Sequence, residues 1–278
     1  SDGAQAELAE APTPLIRSDV ISIDLEKIRA FIDSNLALFK RRYAVQGVAF
    51  TSIGESIVPF DVKTRQAIDN PLIWHEKAPH DDWLSCEDMI RKHLPWHRCG
   101  VIPDYTFSLF KILWMRRRRG IVATNWLPVS SWLAYSFGGE AIWDSSQASR
   151  TALSDIHAFD WAWDILEKLD LPLDLGPIAG IGCKAGETDD GITVGLAGHD
   201  HATAFFGLRK LSDEATRVVV DSMGTANLIS TMSSMGNGNR QIRRFMPWTG
   251  TVAMGLKPGE FCLNSDVRSY GSVFETWK

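Results

Sequence analysis

Two short turns between Gly191 and Thr231 carry residue types that could do chemistry. The first, Gly198-His199-Asp200-His201, follows a predicted strand (Ile192–Ala197) and precedes a predicted helix of small residues (Ala202–Leu208). It therefore presents a carboxylate at the edge of a sheet, where a strand ends. The second, Met223-Gly224-Thr225, lies at the tip of a predicted hairpin and offers a hydroxyl and free backbone N–H groups, which bind phosphate oxygens. A proton-accepting carboxylate beside a phosphate cradle indicates transfer of a phosphoryl group to a hydroxyl.

Each turn also has an ordinary structural interpretation. Asp is a preferred N-cap residue, so Asp200 could serve only to cap the helix that follows it. Glycine at a hairpin turn is routine, so Gly224 and Thr225 alone are a weak signal. His199 and His201 flank the aspartate and raise the alternative of a metal-dependent hydrolase. Adjacent side chains on a turn diverge, however, and the sequence offers no second cluster of ligands for such a metal.

The composition is that of a globular protein and excludes several classes. The chain has 278 residues, 45% of them hydrophobic and 23% charged, which is enough for one large domain or two. A net charge of −5 gives no electrostatic reason to bind nucleic acid or an anionic membrane. No apolar run is long enough to predict a membrane span, and the first residues, SDGAQAELAEAPTP, are not expected to act as a signal peptide. Four scattered cysteines indicate a reducing compartment, so a cytoplasmic location is expected.

The elements that must position the two turns alternate between helices and strands, which indicates the α/β class. Residues 77–104 and 141–152 are predicted to be irregular. The run Arg116–Arg119 is predicted to complement a helix C-terminus that ends at Gly120, rather than to bind an anion. Helices are predicted over Leu25–Lys40 (capped by Asp24), Phe107–Arg119, Pro128–Phe137 and Trp161–Leu169 (capped by Asp160), and strands over Val45–Thr51, Ile57–Phe60, Arg217–Asp221, Ala226–Thr231, Thr249–Met254 and Phe261–Leu263.

From about Val45 to Trp277 the order of motifs resembles the FGGY family of carbohydrate kinases. The stretches AVQGVAFTSIGESIVPFD and NPLIWHEK resemble the family's sugar-contacting strand, its turn and its Trp-x-x-x segment. The family's Lys-Leu-Leu-Trp helix resembles FSLFKILWM. Its Leu-Pro helix, Thr-Gly-Glu-like turn and Thr-Asp-x-Ser-x-Ala-Ser loop together resemble the stretch LPVSSWLAYSFGGEAIWDSSQASRT. GHDHATAFFGL and VVVDSMGTANLI resemble the family's Gly-His-Asp-Gln segment and Ser-Leu-Gly-Thr-Ser hairpin. Five matches in the same order make the resemblance specific.

The resemblance implies a fold and a division of the chain. The family has two actin-like (ribonuclease H-like) domains with the active site in the cleft between them. Residues 1–212 would form the N-terminal sugar-binding domain, and residues 213–278 the beginning of the C-terminal nucleotide-binding domain. The family's opening Asp-x-Gly-Thr-Thr turn has no counterpart before Val45, and the family continues for roughly another domain beyond this chain. The fold is therefore expected to be incomplete at both ends.

The resemblance also implies roles for residues and for ligands. The activity would be ATP-dependent phosphorylation of a pentulose, hexulose or polyol, with Mg²⁺ bridging the phosphates mostly through water. Members of the family often form homodimers. Asp144 and Ser149 match positions that we interpret as structural. The implied site consists of Asp200 as general base, Glu55, Trp74, His75 and Glu76 as sugar contacts, His199 beside the sugar, and Gly224 and Thr225 against the ATP phosphates.

One alternative remains open at the level of the sequence. Because the first phosphate turn and the adenine domain have no counterpart here, the chain could be a non-catalytic sugar-binding remnant or a fragment of such a kinase. That alternative predicts that a sugar stabilises the protein against heat while ATP–Mg²⁺ does not.

Overall fold

Helices and strands alternate along the chain, as predicted for the α/β class. The computed structural model describes residues 7–211, 218–223, 227–234 and 250–267. The helices are α1 (Leu25–Arg42), α2 (His80–His93), α3 (Trp96–Cys99), α4 (Ser108–Arg119), α5 (Val129–Ser136), α6 (Ser145–Ala148), α7 (Trp163–Lys168) and α8 (Asp200–Lys210). The strands are β1 (Leu15–Arg17), β2 (Ile21–Ile23), β3 (Gly47–Ser52), β4 (Ile57–Pro59), β5 (Trp126–Pro128), β6 (Trp143–Asp144), β7 (Ser154–Asp155), β8 (Asp160–Trp161), β9 (Ile178–Ala179), β10 (Lys184–Glu187), β11 (Thr193–His199), β12 (Val219–Met223), β13 (Asn227–Ser234), β14 (Gly250–Met254) and β15 (Glu260–Val267).

Strands β3 and β11 form a parallel pair in a three-stranded sheet whose order is β10-β11-β3, with β11 as the central strand. Helices α5, α6 and α8 pack against this pair. Phe50, Val194 and Leu196 are buried on it, as expected for parallel strands that are covered by helices. The register places Ser52 opposite His199, so both strands end at the same edge. Ligands of α/β proteins bind at this carboxyl edge of the sheet.

Two predicted helices form with the expected ends. The Asp24 side chain caps α1 by accepting a hydrogen bond from the Lys27 backbone N–H at 3.0 Å. Helix α4 stops at Gly120, which has the left-handed φ of 66° that glycine adopts without strain. Of the arginines at its end, Arg117 binds both oxygens of Asp82.

Three parts of the chain differ from the sequence prediction. Residues 77–104 contain α2 and α3, because Pro79 and Pro95 occupy the N-cap positions of these helices instead of interrupting them. Residues 141–152 contain β6 and α6 rather than a loop. Asp160 lies in β8 and does not cap α7, which begins at Trp163.

A second, antiparallel sheet with the order β12-β13-β15-β14 follows α8. Phe205 and Phe206 of α8 pack with Val220 and Cys262 of this sheet in a separate hydrophobic cluster. Hydrogen bonds also attach its edge to the first part of the chain, for example from the Val252 N–H to the Gly100 carbonyl at 2.6 Å. Within the part of the chain that the structure describes, no helix combines the length and the apolar character needed to cross a membrane.

Candidate active site

Asp200 is the first residue of α8 and follows directly on the end of β11. The N-cap position is taken by His199, whose backbone is extended, so Asp200 lies inside the helix rather than capping it. Its Oδ1 accepts a hydrogen bond from the His201 N–H at 2.8 Å. The side chain is 46% exposed, so the carboxylate remains open to a ligand at the edge where β3 and β11 end.

A bulge at the end of β11 directs the chain into α8. The register of β11 against β3 shifts between Leu196 and Gly198, and Gly198 has a φ of 102°. A Cβ at this position would lie 2.9 Å from the Ser146 Oγ, so only glycine fits. The Ser146 hydroxyl in turn accepts a hydrogen bond from the His199 N–H at 2.8 Å. Helix α6 therefore fixes the backbone immediately before Asp200.

Asp144 and Ser149, for which the sequence predicts a structural role, have hydrogen bonds that fit this role. Asp144 is fully buried and caps α6, where its Oδ1 accepts from the Ser146 and Gln147 N–H groups. Burial raises the pKa of the Asp144 carboxyl above its usual range. The Ser149 hydroxyl accepts from the Met254 N–H at 2.9 Å and so ties α6 to the second sheet.

His199 connects Asp200 with the turn after β3. Its Nε2 lies 3.2 Å from the Asp200 Oδ1. On the other side its ring lies against Gly54, where a Cβ would come within 2.9 Å of the imidazole Cδ2. Burial lowers the pKa of His199 to about 4, so the ring is neutral at neutral pH. A neutral ring with its proton on Nε2 would donate to the carboxylate and orient it.

The buried neutral His199 is expected to make stability depend on pH. Its pKa of about 4 in the folded state lies below the ordinary value of 6.5, so the unfolded chain binds the proton first as the pH falls. The corresponding stability is present above pH 6.5 and is lost between pH 6.5 and 4, by about 3 kcal/mol. Urea unfolding of wild type and His199→Gln at pH 7 and near pH 4 measures the difference. The exposed His75→Gln is the control, and an equal effect in both variants would contradict the assignment to His199.

Glu55 lies on the turn after β3 in the left-handed region, with a φ of 60°, and is only 5% exposed. Its Oε1 forms an ion pair with Arg150, whose Nε lies 2.5 Å away and whose second guanidinium nitrogen contacts the same oxygen. The guanidinium also lies over the ring of Phe107, 5.1 Å from its centre. Sequence reasoning missed Arg150, although it is the residue directly after the motif that ends at Ser149.

Lys111 is a second residue of this region that sequence reasoning missed. It is completely buried, and its Nζ donates to the carbonyl oxygens of Thr106 at 2.7 Å, Trp74 at 2.9 Å and Glu55 at 3.2 Å. Burial lowers the pKa of the amine to about 7. The available signal was a single lysine between the apolar neighbours Phe110 and Ile112 of the FSLFKILWM helix.

The segment Trp74–Glu76 lies beside Glu55, because Lys111 binds carbonyl groups of both. The rings of Trp74 and His75 meet edge to face, 5.0 Å apart, and His75 is exposed. Both oxygens of Glu76 bind backbone N–H groups: Oε2 that of Ile21 at 2.8 Å, and Oε1 those of the two residues that follow. The structure thus brings the backbone of Trp74 near that of Glu55, and the contact of these side chains with a sugar stays a prediction.

The strand that leads to the second turn approaches α8 at its first residues. The Nδ1 of His201 lies 2.9 Å from the Oγ of Ser222 in β12. Gly224 and Thr225 themselves lie outside the described residues, so their predicted contact with phosphate stays a prediction. Among the described side chains, no group of three or more His, Cys, Asp or Glu is arranged to hold a metal ion.

Known proteins resemble this chain both in sequence and in structure. The sequence profile described as "FGGY family of carbohydrate kinases, N-terminal domain" matches residues 29–207. The glycerol kinase of Azotobacter vinelandii is 33% identical over an alignment of 186 positions, and the match covers 59% of this chain and 36% of that protein. The solved xylulose kinase of Rhodospirillum rubrum has a TM-score of 0.78 at 16% identity, over 96% of this chain and 56% of its own. The Plasmodium falciparum glycerol kinase with ADP has a TM-score of 0.72 at 14% identity, over 95% of this chain and 56% of its own.

These similarities differ in extent. The chain spans about a third of the length of the curated glycerol kinase and somewhat more than half of the solved kinases. The structural likeness covers nearly the whole chain and confirms the predicted actin-like, ribonuclease H-like α/β fold. The profile match covers well over half of the residues. By sequence and by fold, this chain belongs to the FGGY family of carbohydrate kinases.

Proposed function

We propose that the protein transfers the terminal phosphoryl group of ATP to a hydroxyl of a sugar or polyol. The observation that carries the proposal is the position of Asp200: a half-exposed carboxylate on the first residue of α8, at the edge where two parallel strands end. The Glu55–Arg150 ion pair lies in the same region, linked to Asp200 through His199 and Gly54. Family membership supports this class of reaction.

In the proposed mechanism Asp200 is the general base. A sugar hydroxyl is a poor nucleophile, and a positioned carboxylate that accepts its proton contributes about 10²- to 10⁴-fold to the rate. The Asp200 Oδ1 already faces the His201 N–H and the His199 ring, so we assign proton transfer to Oδ2.

The acceptor is proposed to bind at Glu55 and Arg150, together with Trp74, His75 and Glu76. Both arginine contacts use the Glu55 Oε1, so Oε2 can accept a hydrogen bond from a ligand hydroxyl. The guanidinium has five N–H donors, and those that do not contact Glu55 can bind an oxygen of the same ligand. A hydroxyl both donates and accepts, and the charges of the pair cancel, so this arrangement suits a neutral sugar or polyol.

ATP is proposed to place its phosphates against Gly224 and Thr225. The contact between His201 and Ser222 supports this arrangement, since Ser222 precedes Gly224 by two residues. Mg²⁺ would supply charge neutralisation at the phosphates, bound mainly by phosphate oxygens and water. Such a site needs few ligands from the protein, and we propose that the Asp200 carboxylate would hold the ion through a water molecule.

We also propose that the sugar-binding domain ends near residue 212.

Acceptor-dependent release of ADP tests the proposed function. The purified protein is incubated with ATP–Mg²⁺ and, in separate reactions, glycerol, xylulose, gluconate and a hexulose, and ADP is followed with a coupled assay. We expect at least one neutral acceptor to raise ADP release well above the rate without acceptor. If no acceptor does so, and an acceptor shifts the melting temperature while ATP–Mg²⁺ does not, the protein is a sugar-binding protein and the proposal fails.

Replacing Arg150 with Met is expected to weaken acceptor binding. The change removes the guanidinium donors and leaves the buried Glu55 carboxylate unpaired, so the KM for the acceptor should rise by about tenfold or more. The KM for ATP should stay the same. Steady-state kinetics with both substrates varied measures these constants below the melting temperature of the variant.

Arg117→Met is the matched control for this substitution. Asp82, in α2, is also 5% exposed and also loses its arginine, but its carboxylate binds Arg117 at the end of α4 and none of the proposed acceptor contacts. The two variants should lose comparable stability, and only Arg150→Met should change the KM for the acceptor. An equal rise of that KM in both would show that the effect comes from general destabilisation.

A further inference from the structure

We propose that Lys111 is the positioning residue of the acceptor site: its ammonium group binds three separate backbone segments together and so fixes where Glu55 and Trp74 stand. The inference rests on the proposed function for its consequence, since the site in question is the proposed acceptor site. It concerns a residue of α4 that the mechanism itself does not use.

The geometry around the Nζ carries the inference. All three of its hydrogen bonds go to main-chain carbonyl groups, at 2.7, 2.9 and 3.2 Å. These carbonyls belong to Thr106 just before α4, to Trp74 and to Glu55, which are separated from Lys111 by 5, 37 and 56 residues. In its protonated form the amine has three N–H donors, one for each of these carbonyl groups.

The Glu55 turn needs such support. Its left-handed backbone is an unfavourable conformation for a residue with a Cβ, so surrounding contacts must maintain it. The Glu55 carbonyl accepts from Lys111 and also from the Ser108 hydroxyl at 3.2 Å. Lys111 and Ser108 of α4 hold the backbone of Glu55 in place, and the Glu55 carboxylate then contacts Arg150.

A packing role alone does not account for a lysine at this position. Phe110 and Ile112, its neighbours in α4, are fully buried and apolar, and an apolar residue here would avoid the cost of burying an amine. The charged groups that act on the amine are Glu55, Asp104 and Glu76, which favour its protonated form, and Arg150, which opposes it. Burial outweighs them and lowers the pKa of the amine to about 7, so a lysine costs free energy at this position that an apolar residue would not.

Lys111→Met tests the inference, because Met keeps most of the side-chain volume and removes all three donors. We expect the KM for the acceptor to rise by about tenfold, with kcat within about threefold of wild type and the KM for ATP unchanged. Hydrogen exchange followed by mass spectrometry should show faster exchange in peptides that contain residues 54–56 and 74–76. Exchange at wild-type rates in both peptides would overturn the proposal.

Two further variants keep the test decisive. Ser108→Ala removes the other donor to the Glu55 carbonyl without burying or removing a charge, so it should fold and should speed exchange at residues 54–56 but not at 74–76. Ile112→Ala destabilises the same helix without touching these carbonyls; if it raises the KM for the acceptor as much as Lys111→Met does, the lysine has no positioning role.

The exchange measurement also separates this inference from the proposed function. If wild type transfers no phosphoryl group to any acceptor, the proposed function fails, and exchange at residues 54–56 and 74–76 still decides whether Lys111 holds the two segments. If wild type is active and Lys111→Met lowers kcat and raises both KM values alike, the function stands and the positioning role is refuted.

Discussion

Replacing Asp200 with Asn is expected to lower kcat for phosphoryl transfer by about 10²- to 10⁴-fold. The amide has nearly the shape of the carboxylate, so it can still accept from the His201 N–H, but it cannot take a proton from the acceptor hydroxyl. The KM for the acceptor should change little, because the proposed binding contacts come from Glu55 and Arg150. This is the largest effect that the proposed mechanism predicts for any single substitution.

Initial rates of ADP release at saturating acceptor and ATP–Mg²⁺ measure this effect. Asp33→Asn serves as the control, because its carboxylate on α1 is 51% exposed, comparable to the 46% of Asp200, and pairs with Arg29 at the surface. The control should keep the wild-type kcat. If Asp200→Asn also kept it, Asp200 would not be the base, whatever reaction the protein performs.

Replacing Gly100 with Ala is expected to have the largest effect on folding. Gly100 ends α3 with a φ of 79°, and a Cβ there would lie 1.9 Å from the Val252 carbonyl oxygen of β14. Backbone atoms cannot move aside cheaply, and the Gly100 carbonyl accepts the 2.6 Å hydrogen bond from the Val252 N–H. The substitution should therefore lower the free energy of unfolding by more than about 3 kcal/mol.

Gly120→Ala isolates the part of this effect that comes from the contact with β14. Gly120 has a similar φ of 66°, but in the described part of the chain no heavy atom beyond its two neighbouring residues lies within 4 Å of the position that its Cβ would take. Its replacement should cost about 1 kcal/mol, which is the backbone contribution alone. Urea unfolding of both variants gives the comparison; equal losses of stability would show that the second sheet does not lie against Gly100 as described.

Local signals in the sequence predicted the elements that carry Asp200. The strand predicted over Ile192–Ala197 is β11, shifted by one or two residues, and the predicted helix is α8, extended to begin at Asp200 itself. The cap at Asp24 and the stop at Gly120 were likewise predicted, because each depends on residues within one turn of the chain.

Contacts between distant residues could not be predicted in this way. Arg150 and Glu55 are 95 residues apart, and Lys111 is 56 residues from the same turn, so no spacing rule brings them together. Helices α2 and α3 were missed because proline is both a helix breaker and a common residue at helix starts. Only the packed structure shows which of these two roles Pro79 and Pro95 have.

A crystal structure of the protein with an acceptor that supports ADP release tests the central claim most directly. We predict that one hydroxyl of the bound acceptor lies within about 2.6–3.2 Å of the Asp200 carboxylate. Other hydroxyls should contact the Glu55 carboxylate and the Arg150 guanidinium. An acceptor bound away from the edge where β3 and β11 end, with Asp200 facing only solvent, would contradict the account.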